Sequence, residues 1–227
     1  MEFEKLGTRY SGLLAKKYDR NRARDAQWIF EDRAVDGFLS AVPQGAGVLD
    51  VPVGTGRFIA LYKKYGLKAT GIDASADMLA EAARKAEDIG YSCSLHVGDI
   101  RAIAAPDRGF DGVLCIRFLN WVDSEALMPV LAELNRVARS WLILGIRCSL
   151  SEPAPNAPKL TLWQQFQMRR RLARQKRKGR TRPPHDETMV LQAFRTYGLK
   201  TEAVARHDLR GDNTEYRIYF LRRDPQS

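Results

Sequence analysis

Three carboxylates stand where apolar runs of the chain stop. Asp50 lies within Val48-Leu49-Asp50-Val51-Pro52-Val53, Asp73 closes Lys68-Ala69-Thr70-Gly71-Ile72-Asp73, and Asp99 follows Cys93-Ser94-Leu95-His96-Val97-Gly98. Between the first two runs sits Gly54-Thr55-Gly56. In an open parallel sheet a ligand binds outside the carboxyl ends of the strands, so these are the positions at which this sequence can do chemistry. A glycine turn between strand and helix lets the backbone pass close to a ligand and offers amides at the helix start. Asp73 can accept both hydroxyls of a ribose, and Asp99 can accept from an adenine amine. A single acid after a strand is more often a turn or a helix cap. Three acids at three successive strand ends, in order, are much harder to obtain by accident. The turn is not the dinucleotide fingerprint G-x-G-x-x-G, because position 59 is Ile.

The elements that must carry these residues alternate strictly. After strand one the pattern predicts a helix from Arg57 to Tyr65 that stops at Gly66. Strand two is followed by a helix over 76–89, capped by Ser75 and closed by Gly90. A fourth strand spans 110–116, a helix 123–139 and a fifth strand 141–146. Strand and helix in alternation predict an α/β fold with a parallel sheet and helices on both faces. A helix over 186–197 follows, then runs at 201–206 and 215–221 joined by Arg210-Gly211-Asp212-Asn213, which reads as an antiparallel hairpin. Residues 1–44 read as helical, with Trp28, Ile29, Val35, Phe38 and Leu39 at helical spacing. The chain therefore divides into an N-terminal helical cap (1–44), an α/β core (45–150), a basic insertion (151–185), and a helix with hairpin (186–227) that completes the same domain.

That insertion carries the charge. The 227-residue chain has a net charge of +10, and the ten basic residues between Lys159 and Arg182, with no acid among them, account for all of it. Such a segment is either a solvated loop or a patch that recruits an anion, whether substrate, nucleic acid or membrane surface. Its first half, with Leu160, Trp163, Phe166 and Arg170 at three- to four-residue spacing, predicts a helix with one apolar stripe. Three cysteines (Cys93, Cys115, Cys148) read as buried thiols of a reducing compartment, with no disulfide framework and no metal site. No apolar run reaches 18 residues and no apolar leader opens the chain. The expectation is a cytoplasmic protein without a spanning helix. The sequence says nothing about oligomeric state.

Taken together, these motifs resemble those of class I S-adenosylmethionine-dependent methyltransferases, strongly over 45–150 and more loosely in the flanks. Val48 to Phe58 is similar to the family's first motif, Gly71 to Leu79 to its second, Gly98-Asp99-Ile100 to its third and Phe110 to Cys115 to its fourth strand. The resemblance implies a Rossmann-like sheet of seven strands, mostly parallel, and S-adenosyl-L-methionine as cofactor. It implies that Gly54, Thr55 and Gly56 form the loop beside the methionine moiety, with Asp50 holding its ammonium directly or through water. Asp73 would take the ribose, Met78 would lie on the adenine face, Asp99 would accept the adenine amine, and the amide of Ile100 would face a ring nitrogen. Where the family has glycine this chain has Pro52, which lacks an amide donor and stiffens the turn. Tyr10 and the pair Tyr18-Asp19 resemble an N-terminal cap whose aromatic closes over the cofactor, or are ordinary helix residues.

The acceptor side is implied with less detail. Ile116 to Trp121 sits where the family places residues near the methyl group, which makes Arg117, Asn120 and Trp121 candidate substrate residues. Arg117 either meets an acid of the protein or a substrate anion. The segment lacks the Asn-Pro-Pro-Tyr type of motif that holds a flipped base. Arg170 and Arg174 are candidate contacts to an anionic substrate. His185 and His207 are candidate general bases, although a lone histidine is more often structural. The leading expectation is a methyltransferase acting on oxygen or nitrogen of a small or surface-presented anionic molecule. The competing ones are an RNA- or DNA-modifying methyltransferase with Trp163 and Phe166 as stacking surfaces, and a binding module without turnover.

Overall fold

The computed structural model describes Asp19, residues 25–149, Thr161, Trp163, Arg170, and residues 184–208 and 214–224. Its elements in chain order are α1 (Ala26–Leu39), β1 (Gly47–Asp50), α2 (Ile59–Lys64), β2 (Lys68–Asp73), α3 (Ala76–Asp88), β3 (Ser94–Val97) and β4 (Phe110–Cys115). A 3-10 turn (Leu119–Trp121) follows, then α4 (Ser124–Val137), β5 (Ala138–Ser149), β6 (His185–Asp186), α5 (Glu187–Thr196), β7 (Leu199–Asp208) and β8 (Thr214–Arg223). The seven longer strands form one sheet in the order β3-β2-β1-β4-β5-β8-β7, and the two-residue β6 pairs with β5 off this path. Pairings from β3 through to β5 are parallel, and β8 is antiparallel to both β5 and β7. This is the α/β sheet anticipated above, with one short strand added.

Side chains alternate across the strands and build a core on each face. One face buries Leu142, Leu144, Ile146, Tyr219 and Leu221 with Leu127, Leu131 and Leu134 of α4 and Val190 and Phe194 of α5. The other buries Trp141, Ile143, Tyr216, Ile218 and Phe220 with Val35 and Leu39 of α1, Tyr62 of α2 and Ala82 and Ala86 of α3. Four helices start on a carboxylate or hydroxyl cap, Asp25 for α1, Ser75 for α3, Asp123 for α4 and Asp186 for α5, which satisfies an otherwise unpaired amide.

Three differences from the sequence pattern have physical causes. Strand one ends at Asp50 and the following helix starts only at Ile59, because residues 51–58 are drawn into turns. There the Val51 amide donates to Leu114, the Val53 amide to Ile72 and the Gly56 amide to Val53. Strand β5 runs 12 residues where the apolar run shows six, because β8 pairs with it from Trp141 to Ser149 and polar residues such as Arg147 then have backbone partners. On α1 the buried face is Trp28, Glu31, Val35 and Leu39, while Ile29 is exposed. A buried acid has replaced an expected apolar residue, and its reason lies at the strand tips.

Candidate functional site

Strand order reverses between β1 and β4, whose neighbours lie on opposite sides. A crevice opens outside the carboxyl ends of strands at such a switch point, and the loops after β1, β2 and β4 border it. The loop after β1 turns on Gly54 (φ 56°) and Gly56 (φ 71°), both in the left-handed region that glycine adopts without penalty. A Cβ on Gly54 would stand 3.6 Å from the Met78 Cε, so Met78 of α3 closes on this loop. Asp73 binds the loop from β2: its Oδ2 accepts the Gly54 amide at 2.9 Å and its Oδ1 accepts the Ser75 amide at 2.8 Å. Burial raises the Asp73 carboxyl above its ordinary range, against those two amides. A carboxylate has about four acceptor positions, and the amides of Gly54, Ser75 and Ala74 bear on this one, so acceptor capacity remains toward the crevice.

Asp50 is sealed beneath the loop, 3% exposed, and accepts the Tyr62 hydroxyl at 2.8 Å. Burial pushes its pKa from 3.8 up to about 7. The folded state holds this proton more tightly than the unfolded chain, so its stabilising contribution is full below about pH 4 and is lost as pH rises through about 7. We expect the stability of the wild type, measured against Asp50→Asn by urea unfolding, to fall by about 1.4 kcal/mol per pH unit across that window. A difference that stays flat from pH 4 to 8 would contradict it.

Asp99 is less open than the sequence suggests. Both of its oxygens take the Arg101 side chain at 3.0 Å from Nε, and its Oδ1 also accepts the Arg101 amide at 2.9 Å. Those bonds hold its carboxyl below the ordinary range. An adenine amine would have to share this carboxylate with Arg101. Ile100 beside it is buried. Thr55 is also buried, and its hydroxyl donates to Asp19 at 2.6 Å. The Lys85 ammonium reaches the other oxygen of Asp19 at 2.6 Å. Thus Asp19, next to the aromatic singled out in the sequence, touches the Gly54-Thr55-Gly56 loop; Tyr10 and Tyr18 lie outside the described residues, as does Arg174.

On the acceptor side, Arg117 sits at the tip of β4 in the left-handed region (φ 63°) and meets acids of the protein. Its Nε lies 3.1 Å from Glu31 and its Nη2 3.4 Å from Asp25. The alternative left open by the sequence, an arginine held by protein acids, is the one the structure realises. Asn120 accepts the Arg147 amide at 2.6 Å through Oδ1, which ties the 3-10 turn to the end of β5. Trp121 is half-buried at the end of that turn. His185, a candidate base, is 2% exposed, and its Nε2 lies 2.9 Å from the Leu119 carbonyl. It fastens β6 to the 3-10 turn, which removes it from proton transfer to an acceptor. His207 stacks on Phe30 with ring centroids 5.1 Å apart and stands opposite Tyr216. Arg147 stands opposite the same Tyr216 from the other side, so Arg147, Tyr216 and His207 form a row across one face near the carboxyl end. Arg147 and Glu31 were missed from the sequence, one inside an apolar strand and one on a helix face, since neither position carries a motif.

Tyr216 reaches that position because β5 has Gly145 beside it, where a Cβ would stand 2.0 Å from the tyrosine oxygen. The hydroxyl lies 3.4 Å from the Arg117 amide. Trp163 and Arg170 of the basic segment are both exposed, Trp163 at 69%; the rest of that segment lies outside the described residues. Among the described residues no group of three potential ligands could hold a metal, and no helix is long and apolar enough to cross a membrane.

Residues 48–140 match a family described as a methyltransferase domain. Over 98 residues the chain is 37% identical to a phosphatidylethanolamine N-methyltransferase of Cereibacter sphaeroides, covering 42% of this chain and 47% of that one. It is 30% identical over 125 residues to a malonyl-[acyl-carrier protein] O-methyltransferase of Enterobacter lignolyticus (strain SCF1), covering 54% of this chain and 47% of that one. These matches span about half the length of those relatives. The fold is shared with magnesium protoporphyrin IX methyltransferase of Synechocystis PCC 6803 with bound S-adenosylhomocysteine, at a TM-score of 0.71 and 17% identity, over 97% of this chain and 99% of that one. Residues 48–140 thus match a methyltransferase domain, and the sheet around them has the fold of S-adenosylmethionine-dependent methyltransferases.

Proposed function

We propose that this protein transfers a methyl group from S-adenosylmethionine to an oxygen or nitrogen of a small or surface-presented anionic acceptor. The observation that carries the reading is the convergence of Gly54, Asp73 and Met78 at one strand-tip loop. There a carboxylate with remaining acceptor capacity, left-handed glycines and a thioether meet within one set of contacts. That donor set fits the cofactor. Asp73 would take the ribose hydroxyls, Met78 the adenine face, and the Gly54-Thr55-Gly56 loop the methionine end; Asp50, buried and bonded to Tyr62, would reach that end only through a water. When bound, the cofactor supplies a methyl group already activated on a sulfonium. The chain's own task is then to orient the acceptor and exclude water. His207, on the row with Tyr216 and Arg147, is our candidate to take a proton from a hydroxyl or ammonium acceptor.

Relatives named for N- and O-methylation agree with either acceptor atom. The anionic class rests on the ten basic residues of 159–182, on exposed Arg170 and Trp163, and on where the segment leaves and rejoins the sheet. It departs after Ser149 at the tip of β5 and returns at His185, paired with Cys148 beside it. The test is a screen of lipid, sugar-phosphate, acyl-carrier and RNA pools with cofactor labelled in the methyl group. With the labelled acceptor in hand, replacing Arg169, Arg170, Arg171 and Arg174 by Gln is expected to raise KM by about tenfold or more at low salt. Cofactor affinity should not change. Labelled RNA would make nucleic acid the acceptor. Tight cofactor binding with no labelled product in any pool would make the chain a binding module. Unchanged KM in the four-fold variant would show the segment to be idle.

A further inference from the structure

The cofactor loop and the acceptor-side tip of β4 are joined through one buried acid. Glu31 of α1 is fully buried, and it receives hydrogen bonds and charge from three donors. Arg57, immediately after Gly56, reaches it through Nη1. Arg117, at the tip of β4, reaches it through Nε at 3.1 Å. The neutral Gln27 side chain donates to it from Nε2 at 2.9 Å. The same two guanidiniums lie over the Trp28 ring, at 3.8 and 5.5 Å from its centroid. A carboxylate sealed from water is stable only when its partners complete its hydrogen bonds. Glu31 therefore has a low energy only while both arginines are in place, and a displacement of either loop is felt by the other.

We propose that Glu31 is a positioning residue that couples the cofactor loop to the acceptor-side loop, so that the two sides of the crevice are held in register for transfer. The inference rests on the proposed cofactor reading, and it extends that reading to a residue outside every motif of the core. It accounts for two otherwise separate oddities: an acid on the buried face of α1, and a non-glycine residue in the left-handed region at Arg117.

The test uses the whole chain and S-adenosylhomocysteine as the probe, read by isothermal titration calorimetry. Arg117→Met removes the far arm and leaves residues 54–58 intact. It is expected to weaken binding by about tenfold, the size of a typical coupling between sites. Glu31→Gln keeps the side-chain volume and loses the charge, and is expected to weaken binding to a similar extent. Adding Arg117→Met to Glu31→Gln should then change affinity by less than about twofold, because the link is already cut. A merely structural role for Glu31 predicts lowered melting temperatures with affinities within about twofold of the wild type in both single variants. That result, or full additivity in the double variant, overturns the proposal. If Glu31→Gln does not fold, hydrogen exchange decides: Arg117→Met must speed exchange of the amides of residues 54–58 in the folded protein, and unchanged protection overturns the coupling. A wild type that does not bind S-adenosylhomocysteine overturns the cofactor reading and this proposal together. A wild type that binds, with unaffected variants, removes the coupling alone.

Discussion

Gly56→Ala is expected to lower stability by roughly 2–4 kcal/mol and to weaken S-adenosylhomocysteine binding by about a hundredfold. Two effects add at this position. The backbone is left-handed at φ 71°, which an L side chain adopts at a cost of about 1–2 kcal/mol. The new methyl would also stand 2.4 Å from the Ile59 Cδ1 and 3.0 Å from the Cα and Cβ of Ala82. Ile59 can rotate, but Ala82 is backbone of α3 and cannot yield without shifting the helix that carries Met78. The loop must then move away from α3, and with it the amides and the Asp73 contact at the strand tips. Gly54→Ala provides the contrast, because its methyl would find only the end of the Met78 side chain at 3.6 Å. It should show the backbone cost without the clash. Thermal melts and calorimetry on both variants check the pair. Affinity of Gly56→Ala within about fivefold of the wild type would mean that this loop does not form the site.

Asp73→Ala should weaken cofactor binding by about a hundredfold, and more than Asp73→Asn does. On the proposed function the carboxylate acts twice, once on the protein and once on the ligand. Within the chain it satisfies the Gly54 and Ser75 amides, at 2.9 and 2.8 Å, and both lose their acceptor in the alanine variant. Hydrogen bonds to a charged group contribute about 1.5–3 kcal/mol each, so the loss of the ribose contacts alone corresponds to about ten- to hundredfold or more in affinity. Loosening of the Gly54 loop increases it. Asparagine keeps one oxygen for an amide, yet presents an NH2 where the second acceptor was. Titration with S-adenosylhomocysteine orders the three proteins. Equal affinity in the wild type and the alanine variant would remove Asp73 from the ribose.

Much of this was legible from residue types alone. Apolar runs closed by Asp50 and Asp73, alternating with helices, marked strands of a parallel sheet, because a strand buried on both faces must be apolar and its tip need not be; the order of the strands came only from the structure. Capping residues marked helix starts within a residue, since Ser75, Asp123 and Asp186 bond locally to the amides they cap. The fate of each carboxylate was decided elsewhere. Asp50 and Asp73 both end strands, yet Tyr62 and burial close over one, while the other keeps acceptor positions at the crevice. Asp99 meets Arg101, two residues on, in a contact that spacing permits but does not require.

What the sequence determined by itself is the family's core: alternating elements, a glycine turn and the acids at three strand ends, all of them encoded within a few residues of one another. What only the tertiary structure decided are the pairings across long separations. Glu31 bridges Arg57 and Arg117, His185 is drawn onto Leu119, and Tyr216 crosses above Gly145 toward Arg117. Local patterns report periodicity and capping, whose energies depend on neighbours in sequence. A buried charge is tolerated or rejected according to partners that only the folded sheet brings together, and these side chains carry no sign of them in their own surroundings along the chain.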